Sequence, residues 1–571
     1  MEKQWQIIKP DVRLVEKISR AIKCSPVTAT ILVNRKITTI KKAADFFNIT
    51  LNNLRPPFSI KDMDAAVNRI STAILNNDKI LIFGDYDADG ITATTILLEF
   101  LRYAKADVSY YIPHRTKEGY GLQIKHVTDY ALPNKIDLII TVDCGSSSHD
   151  AVKLAQESGV DVIITDHHNI SENLPPAVAV VNPKRLDCTA GFDHLAGVGV
   201  AFYLLICLRR RLNNISFWDS RPEPNLKKLC DFVALGTIAD MVPLVEENRI
   251  LVKTGLDIIN NSHRQGIKAL KEVGGINKDS IFSNDVAFKL IPRLNAAGRI
   301  EHAKTAVELL TTDCLKTATR LARYLNDMNI KRQDAQREIF EGILLFLNNN
   351  PPMLQKRTLV LSHPDWHEGV LGIVASKIVE KFYRPVVLIS TKNGLGKGSA
   401  RSIPGLDIYK GFLACDNCLE SFGGHSMAAG LKIRPENINL FKTSFENAVQ
   451  QMTVPDNFVP TILIDCELNF DDISSGLIDE LERLNPFGQN NPEPIFIAKN
   501  IVVLSSAIVG KNHRRMVLTQ RFCKTKKTVD AIHFNIDTSV PLVKYFDQVL
   551  FRLHWNRWNG KKNAQIVIEK A

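Results

Sequence analysis

Short apolar runs alternate with helical stretches along the first half of the chain. The runs are KILIFG (79–84), ADVSYYI (106–112), DLIITVD (137–143), DVIITD (161–166) and AVAVVN (177–182). Runs rich in Val and Ile, separated by amphipathic segments such as ITATTILLEFLRYA, are typical of a parallel sheet buried on both faces. The pattern predicts a doubly wound α/β domain over residues 61–302, preceded by a helical lead-in over residues 1–60.

Three further patterns divide the second half of the chain. Residues 303–350 lack Gly and Pro until Gly342 and keep a helical period, which predicts long connecting helices. Residues 351–454 alternate apolar runs with helical segments and Gly-rich loops, which predicts a second α/β domain. Residues 455–571 carry short β-like runs separated by turn residues, which predicts a small all-β barrel.

Length and composition agree with this multidomain reading. A chain of 571 residues has room for three or four domains of about 150 residues each. The longest uncharged apolar run, residues 195–208, is shorter than the roughly 18 residues that a membrane span needs, so we interpret it as a buried helix. With no apolar leader and only 10 cysteines, the sequence predicts a cytoplasmic protein without disulfides or membrane association.

Positive charge is concentrated in the predicted barrel. The whole chain carries a net charge of +11, and residues 501–571 hold 13 Lys or Arg against 4 Asp or Glu. A basic terminal module on a nearly neutral body indicates a polyanionic partner, nucleic acid first, with a merely solvated basic face as the alternative.

An acidic segment, GDYDADG (84–90), follows the first apolar run. If its backbone is extended, Asp85, Asp87 and Asp89 point to one face. Neighbouring carboxylates about 6.6 Å apart repel by about 2.5 kcal/mol at an effective dielectric constant of about 20, so a bound cation is expected. The segment also matches the first half of an EF-hand calcium loop, but Ile96 stands where that loop needs Glu, so we reject that interpretation.

Other candidate ligands stand at the ends of later elements. Asp143 ends one apolar run, Asp166, His167 and His168 end the next, and Asp240 lies near the end of the apolar segment FVALGTIADMV. A single Asp at a strand end is often only a helix cap. Because the carboxyl ends of parallel strands meet in one crevice, however, the set predicts a two-metal site for Mg²⁺ or Mn²⁺.

The order of GDYDADG, TVDCG, TDHH and IAD resembles the four metal-site motifs of the DHH phosphoesterase superfamily. Six further motifs resemble those of the bacterial single-strand DNA exonucleases in that superfamily: HRTKEGYGL (114–122), PRLNAAGR (292–299), HEGVLGIVASKI (367–378), GKGSARS (396–402), FGGHSMAAG (422–430) and NPFGQNNPEPIF (485–496). The resemblance covers nearly the whole chain. It implies an α/β fold with a DHH-type parallel-sheet catalytic domain, connecting helices, a second, DHH-associated substrate-binding α/β domain and a C-terminal OB-type barrel.

The same resemblance implies roles for the metal-site residues. Asp87 and Asp89 would divide between two metal ions, Mn²⁺ or Mg²⁺, and Asp143 would bridge the ions. His167 and Asp240 would complete the more richly coordinated ion. His168 would face the scissile phosphate, whereas the role of Asp85 stays open between a water-mediated ligand and a supporting residue.

Substrate contacts are implied on other loops. Arg293 is expected beside the scissile phosphate as a catalytic residue; the expected substrate-binding residues are Arg115, Arg299, Ser399, Arg401 and His425. Each arginine alone could be an ordinary surface salt bridge. On the barrel, a strand-binding groove is expected from Lys511, Arg514, Arg515, Arg521, Lys524, Phe534, Trp555 and Trp558.

The leading hypothesis is therefore a metal-dependent 5′ to 3′ exonuclease for single-stranded DNA that releases 5′-mononucleotides in recombination and repair. One alternative is a phosphodiesterase of short oligonucleotides or cyclic dinucleotides, which would not need a basic barrel. Another is a non-catalytic replication scaffold, which would not need an intact ligand set. We expect single-stranded DNA as the partner, single-strand binding protein and a helicase as further partners, and a monomer.

Overall fold

The computed structural model describes residues 3–170, 172–277, 280–539, 541, 543–558 and 561–570. Its first part contains one strand and three helices: β1 (Gln4–Ile7), α1 (Val12–Ile22), α2 (Pro26–Asn34) and α3 (Ile40–Phe47). The sequence predicted helices here but not the strand. Side chains of Asp11, Ser25 and Thr39 cap the three helices by accepting hydrogen bonds from backbone N–H groups of the first turn.

A parallel sheet forms the centre of the next domain. Its elements are α4 (Met63–Asn76), β2 (Ile80–Gly84), α5 (Ala88–Tyr103), β3 (Val108–Tyr111), α6 (Ile124–His126, continued by a π-helical turn), β4 (Leu138–Val142), α7 (His149–Glu157), β5 (Asp161–Thr165) and β6 (Ala179–Val181). The strand order is β3-β2-β4-β5-β6, and every pairing is parallel. All residues of β2 and β4 are buried, as the continuous apolar runs predicted.

Helices make up the following part of the chain. They are α8 (Gly197–Asn214), α9 (Cys230–Ala239), α10 (Glu246–Asn260), α11 (Gln265–Val273), α12 (Ser283–Asp285), α13 (Ile291–Ile300), α14 (Lys304–Thr311) and α15 (Leu315–Asn349). The apolar run at residues 195–208 is the buried α8, which packs with α9 against α5. At 35 residues, α15 is about 52 Å long and leads to the second α/β domain.

The second α/β domain has a mixed sheet. Its elements are β7 (Leu359–His363), α16 (Leu371–Phe382), β8 (Val386–Ser390), β9 (Gly396–Arg401), α17 (Ile408–Leu413), β10 (Ser421–His425), β11 (Ala428–Ile433) and α18 (Ile438–Met452). The order is β10-β11-β9-β8-β7, in which β7 and β8 are parallel and the other neighbours are antiparallel.

A closed barrel completes the described fold. The elements are β12 (Thr461–Ile464), β13 (Cys466–Glu467), α19 (Ser475–Arg483), β14 (Phe496–Val509), β15 (His513–Gln520), β16 (Thr528–His533), β17 (Tyr545–Trp558) and β18 (Lys561–Lys570). The sheet closes in the order β14-β15-β16-β18-β17 and back to β14. The predicted fold class is therefore confirmed. Like β1, the helix α19, which is amphipathic and buries Leu477, Ile478 and Leu481, was not predicted.

The N-terminal helices pack on the barrel domain. Ile18, Ile31 and Leu32 share a hydrophobic core with Phe470 and Phe551. Strand β1 pairs in parallel with β12 across more than 450 residues of sequence. The two ends of the chain thus form one body, a long-range association that no local pattern encodes. Among the described residues, no helix combines the length and hydropathy that crossing a bilayer requires.

Glu480 ties α2 to α19 and provides a test of this association. Ser25 donates its backbone N–H and its hydroxyl to the Glu480 carboxylate at 2.9 and 2.7 Å. Hydrogen bonds to a charged group contribute about 1.5 to 3 kcal/mol each, so Glu480→Ala should loosen α2 and speed hydrogen exchange of its amides by about tenfold or more. Glu16→Ala, on the exposed face of α1, is the matched control. Unchanged exchange in Glu480→Ala would contradict this anchoring role.

Candidate metal centre

Strand register brings three aspartates to one edge of the parallel sheet. Gly84 at the end of β2 lies opposite Val142 of β4, and Val142 lies opposite Thr165 of β5. The next residue of each strand is Asp85, Asp143 or Asp166. Their backbones therefore emerge side by side at the carboxyl edge, where parallel sheets commonly bind ligands.

The first motif turns into a helix instead of remaining extended. Asp87 is the N-cap of α5 and accepts hydrogen bonds from the backbone N–H groups of Asp89 and Gly90 at 2.9 and 3.2 Å. The extended geometry expected for Asp85, Asp87 and Asp89 is therefore wrong. Gly90 is needed for the turn, because a Cβ there would lie 2.6 Å from the carbonyl oxygen of Asp85.

His167 lies at the centre of the carboxylates. Its Nε2 is 3.1 Å from Asp143 Oδ1, 3.5 Å from Asp240 Oδ2 and 3.9 Å from Asp89 Oδ2. Asp240 reaches this point from the C-terminal end of α9. Asp89, His167 and Asp240 form one set of ligand atoms within 4.8 Å of one another.

A second set of ligand atoms lies beside the first. It consists of Asp85, Asp87 and Asp143, again with one oxygen of each within 4.8 Å of the others. Because Asp143 also contacts His167, it lies between the two sets of ligand atoms. This is the position that a carboxylate bridging two metal ions would need. Asp85, whose role the sequence left open, belongs to this second set.

Unsatisfied buried atoms indicate that cations fit here. Asp85 Oδ1, Asp143 Oδ1 and both ring nitrogens of His167 are buried without a hydrogen-bond partner. Burial, and then the charges of neighbouring carboxylates, raise the pKa values of Asp85, Asp89 and Asp143 well above the ordinary range. Burial also lowers the pKa of His167 to about 3, which leaves a neutral imidazole able to bind a metal. Oxygen ligands with one imidazole suit Mn²⁺ or Mg²⁺.

His168 is oriented by a residue that is not itself a ligand. Its Nδ1 lies 2.8 Å from Asp166 Oδ1 and 3.1 Å from the hydroxyl of Tyr120. Burial opposes a charge on His168, but the hydrogen bond and charge of Asp166 outweigh it and raise the pKa to about 9. Asp166 also accepts hydrogen bonds from the backbone N–H groups of Ser146, His167 and His168. Asp166 therefore fixes the loop, and Nε2 of His168 is left for another contact.

Sequence reasoning missed the supports from α8 and α9. Asp89 accepts hydrogen bonds from the backbone N–H groups of Gly197 and Val198 at 2.7 and 2.9 Å, at the N-terminus of α8. A Cβ at Gly197 would lie 2.5 Å from Asp143 Oδ1, and one at Gly236 would lie 2.7 Å from Asp89 Oδ1. The only signal in the sequence for these close contacts was the presence of small residues, Gly197 and Gly236, within otherwise bulky apolar runs. Tyr120 was also missed, although it lies in a quoted motif.

Three predicted substrate arginines form a second, positively charged group. Arg115 stacks on the ring of Tyr86 at 4.8 Å, between the first two aspartates of the acidic motif. Burial, and then the charge of Arg115, lower the pKa of Arg299 to about 9, and the same two causes lower the pKa of Arg401. None of Arg115, Arg299 and Arg401 has a carboxylate within salt-bridge distance among the described residues. A bound anion would reduce the repulsion among these three guanidinium groups.

The start of α16 closes this arginine group. Arg401 Nη1 lies 3.4 Å from Ser399 Oγ on the same strand, β9. A Cβ at Gly372, in the first turn of α16, would lie 2.8 Å from Arg401 Nη2 and 2.9 Å from Ser399 Oγ. The backbone of this helix terminus therefore lies directly against both side chains.

Arg293 and His425 differ in their surroundings. Arg293 donates to the carbonyl oxygens of Lys289 and Val273 and to Asn326 Oδ1, so its guanidinium ties α13 to neighbouring helices. These contacts give no support to its expected catalytic role. His425 Nδ1 lies 3.3 Å from Asn169 Nδ2, next to the DHH motif, which brings the second α/β domain to the metal centre.

The predicted barrel residues are only partly available to a strand. The ring of Phe534 is exposed and contacts His513 edge to face. Trp555 donates its indole N–H to Asp479 at 2.8 Å and is covered by Lys562. The side chain of Trp558 lies outside the described part of the structure. Lys511, Arg515, Arg521 and Lys524 are exposed.

Family models match three parts of the chain. The N-terminal domain of the DHH family matches residues 79–237, the DHHA1 domain matches residues 355–451, and the RecJ OB domain matches residues 464–570.

Curated relatives match over most of their length. The single-stranded-DNA-specific exonuclease RecJ of Bacillus subtilis (strain 168) is 35% identical, over 100% of this chain and 70% of the relative. RecJ of Haemophilus influenzae is 37% identical, over 91% of this chain and 92% of the relative. A crystal structure of RecJ from Thermus thermophilus in complex with Mn²⁺ is 29% identical, with a TM-score of 0.83 over 99% of this chain and 79% of that one.

The raised pKa of Asp240 predicts how the metal-free protein responds to pH. Burial, and then the charge of Asp87, raise this pKa from 3.8 to about 7. Between these values the folded state binds more protons than the unfolded state, so the contribution of Asp240 to the free energy of unfolding falls as the pH rises. Asp240→Asn should therefore raise the melting temperature of the metal-free protein at pH 8 by several degrees, with little effect at pH 4. The melting temperatures are measured by calorimetry. An equal increase at both pH values would show that the effect does not come from the charge of Asp240.

Proposed function

The chain belongs to the RecJ family of single-stranded-DNA-specific exonucleases, and we propose that it degrades single-stranded DNA from the 5′ end, releasing 5′-mononucleotides in recombination and repair. It is a metal-dependent nuclease. The observation that carries the proposal is the juxtaposition of two groups without internal counterions. One is the carboxylate cluster around Asp143, which needs cations, and the other is the arginine cluster around Arg401, which needs an anion.

The metal-site residues would hold two divalent ions. Asp89, His167 and Asp240 would bind one ion, Asp85 and Asp87 would bind the other, and Asp143 would bridge them. When bound, such ions supply a hydroxide at neutral pH and neutralise the charge that develops on phosphate oxygens. The chain holds these ligands in fixed positions through the N-terminal turns of α5 and α8.

His168 contributes a positive hydrogen-bond donor beside the ions. With a pKa of about 9 it carries a proton at neutral pH, and Asp166 and Tyr120 hold its Nδ1 side. Its Nε2–H is then directed at a phosphate oxygen of the scissile bond. Such a charge-assisted hydrogen bond favours the more negative transition state.

The arginine cluster provides the direction of cleavage. A terminal phosphate carries more negative charge than an internal phosphodiester, so Arg115, Ser399 and Arg401 select the end of the strand. Because Arg115 lies over Tyr86, next to Asp85 and Asp87, an end bound there places a phosphodiester near the carboxylates. A strand bound by its 5′ end is then shortened in the 5′ to 3′ direction.

The barrel and its exposed basic residues would hold the remainder of the strand by electrostatic attraction to phosphates. A phosphodiesterase of short oligonucleotides or cyclic dinucleotides would have no use for this module. A non-catalytic scaffold would have no use for the complete ligand set. Both alternatives therefore explain less of the chain than the exonuclease does.

We also propose a cellular location, two protein partners and an oligomeric state for the enzyme. A nuclease acting on chromosomal single strands works in the bacterial cytoplasm. Single-strand binding protein coats its substrate and a helicase would generate it, so both are proposed partners. The monomeric state, proposed with them, can be checked by light scattering.

End-labelled substrates test the activity. Single-stranded and duplex DNA, labelled at either end, are incubated with the protein and Mn²⁺ or Mg²⁺. We expect a label at the 5′ end of a single strand to be released at once as mononucleotide. A strand labelled at its 3′ end should instead shorten progressively.

Asp143→Ala should abolish cleavage and leave strand binding largely intact, because one side chain serves both ions. Substantial residual cleavage would contradict the bridging assignment.

Arg401→Ala tests the polarity. The variant should slow cleavage of 5′-phosphorylated single strands by at least about tenfold, since a charge-assisted hydrogen bond contributes about 1.5 to 3 kcal/mol and about 1.4 kcal/mol corresponds to a factor of ten. Strands with a 5′-hydroxyl already lack the recognised group and should be affected much less. Equal losses on both substrates would show that Arg401 contacts another part of the strand.

A further inference from the structure

A cavity of about 540 Å³ lies where three parts of the chain meet, and it shares no lining residue with the metal centre. Its walls come from α3 and the residues before it, from α10, and from the loop that follows α19. We call it the junction cavity. Its volume lies within the range of about 300 to 1,000 Å³ that is usual for small-molecule sites.

Two arginines at this cavity have buried donors that are unsatisfied. Nε and Nη1 of Arg35, and Nε of Arg249, are buried without a hydrogen-bond partner. Arg35 has no carboxylate within salt-bridge distance among the described residues. Burial lowers its pKa to about 10, although the charge of Asp465 opposes this shift. Buried guanidinium nitrogens are normally paired, and Asp465 acts on Arg35 by its charge without reaching salt-bridge distance, so the N–H groups of Arg35 can still accept an anion as partner.

The two arginines differ in what else they do. Arg249 donates its other nitrogens to backbone carbonyl oxygens at the end of α19, including those of Arg483 and Leu484, and this holds the domains together. The remaining nitrogen of Arg35 donates to the carbonyl of Pro492. Arg35 is therefore the better candidate for a ligand-binding group.

Lysines at the rim of the cavity add further positive charge. Lys36, Lys41 and Lys42 are exposed and form no ion pair within the described ranges. In contrast, two of the three acidic lining residues are already neutralised, because Arg55 binds Glu247 at 2.6 Å and Glu246 at 3.2 Å, and only Asp45 is left. The charge left without a partner is thus mainly positive.

Part of the cavity wall is apolar. Ile37, Phe46, Ile49 and Ile250 line it, with Arg249 over one face of the Phe46 ring, and Asp45 and Asn53 offer acceptor oxygens. An inorganic anion would leave this wall unused. A ligand with a phosphate at one end and a flat, partly apolar group with hydrogen-bond donors at the other would use all three features.

We propose that the junction cavity binds a nucleoside phosphate, with its phosphate on Arg35, Lys41 and Lys42 and its base against Ile37, Phe46 and Ile250. This second site goes beyond the nuclease function, since it lies apart from the carboxylates and from the Arg401 cluster. The group of His194, Glu246 and Glu247 beside it is not a metal site, because Arg55 and His194 already occupy the Glu247 carboxylate.

Calorimetric titration of the metal-free, full-length protein with dAMP tests the proposal. We expect two binding events, because the Arg401 cluster binds the same phosphate. Lys41→Ala/Lys42→Ala should weaken one event by about tenfold or more and leave the other unchanged, since two charge-assisted contacts are lost. Arg401→Ala should have the converse effect. The matched control, Arg13→Ala/Lys17→Ala, removes two exposed cations from α1 and should change neither event.

Several outcomes would overturn the proposal. One is a single event that Arg401→Ala removes and Lys41→Ala/Lys42→Ala leaves unchanged. Another is competition by inorganic phosphate as strong as that by dAMP, which would exclude a role for the nucleoside. A third is weaker binding of a single-stranded oligonucleotide by Lys41→Ala/Lys42→Ala with unchanged dAMP binding, which would make the cavity part of the strand path. Nuclease activity, measured separately, judges the proposed function independently.

Discussion

Repulsion among buried carboxylates is the constraint on which the arrangement of this protein depends. Asp85, Asp89 and Asp143 are almost inaccessible to solvent, and Asp87 and Asp240 lie beside them. No packing of apolar residues compensates for such a cluster, because only cations, protons or backbone dipoles reduce its energy. The fold supplies the dipoles by directing the N-termini of α5 and α8 at Asp87 and Asp89. Divalent cations supply the rest.

The sequence was sufficient to predict that these residues meet, because strand ends in a parallel sheet converge. It was not sufficient for their geometry. Asp85, Asp87 and Asp89 come together through a helical turn and not an extended strand, and the difference depends on whether Gly90 approaches the carbonyl of Asp85. The position of Gly197 against Asp143 depends likewise on how α8 docks. Contacts of this kind are set by packing between elements, which periodicity along one chain does not encode.

The same limit explains the N-terminal segment. Its helices were predicted, but strand β1 and the packing of this segment on the barrel domain were not. Strand β1 pairs with β12, and α2 is anchored by Glu480 of α19, a helix that was itself not predicted. Arg293 shows what a motif leaves open. Its motif suggested substrate contact, whereas its donors bind the carbonyls of Lys289 and Val273. A motif identifies a local shape, but it does not distinguish the residues that build this shape from those that contact a substrate.

The two charged clusters also explain why the domains must be joined with precision. The carboxylates, Arg115 and Arg299 come from the first α/β domain, whereas Ser399 and Arg401 come from the second. Separately, each cluster is an unstable concentration of like charge. The two clusters lie close together, with Arg115 over Tyr86 and Arg299 donating to the carbonyl of Gly369, so metal ions on one and the proposed phosphate on the other would bind along one strand of DNA. Metal ions and the proposed substrate phosphate would together reduce the repulsion within the two clusters, so a change that separates the domains should weaken both sites at once.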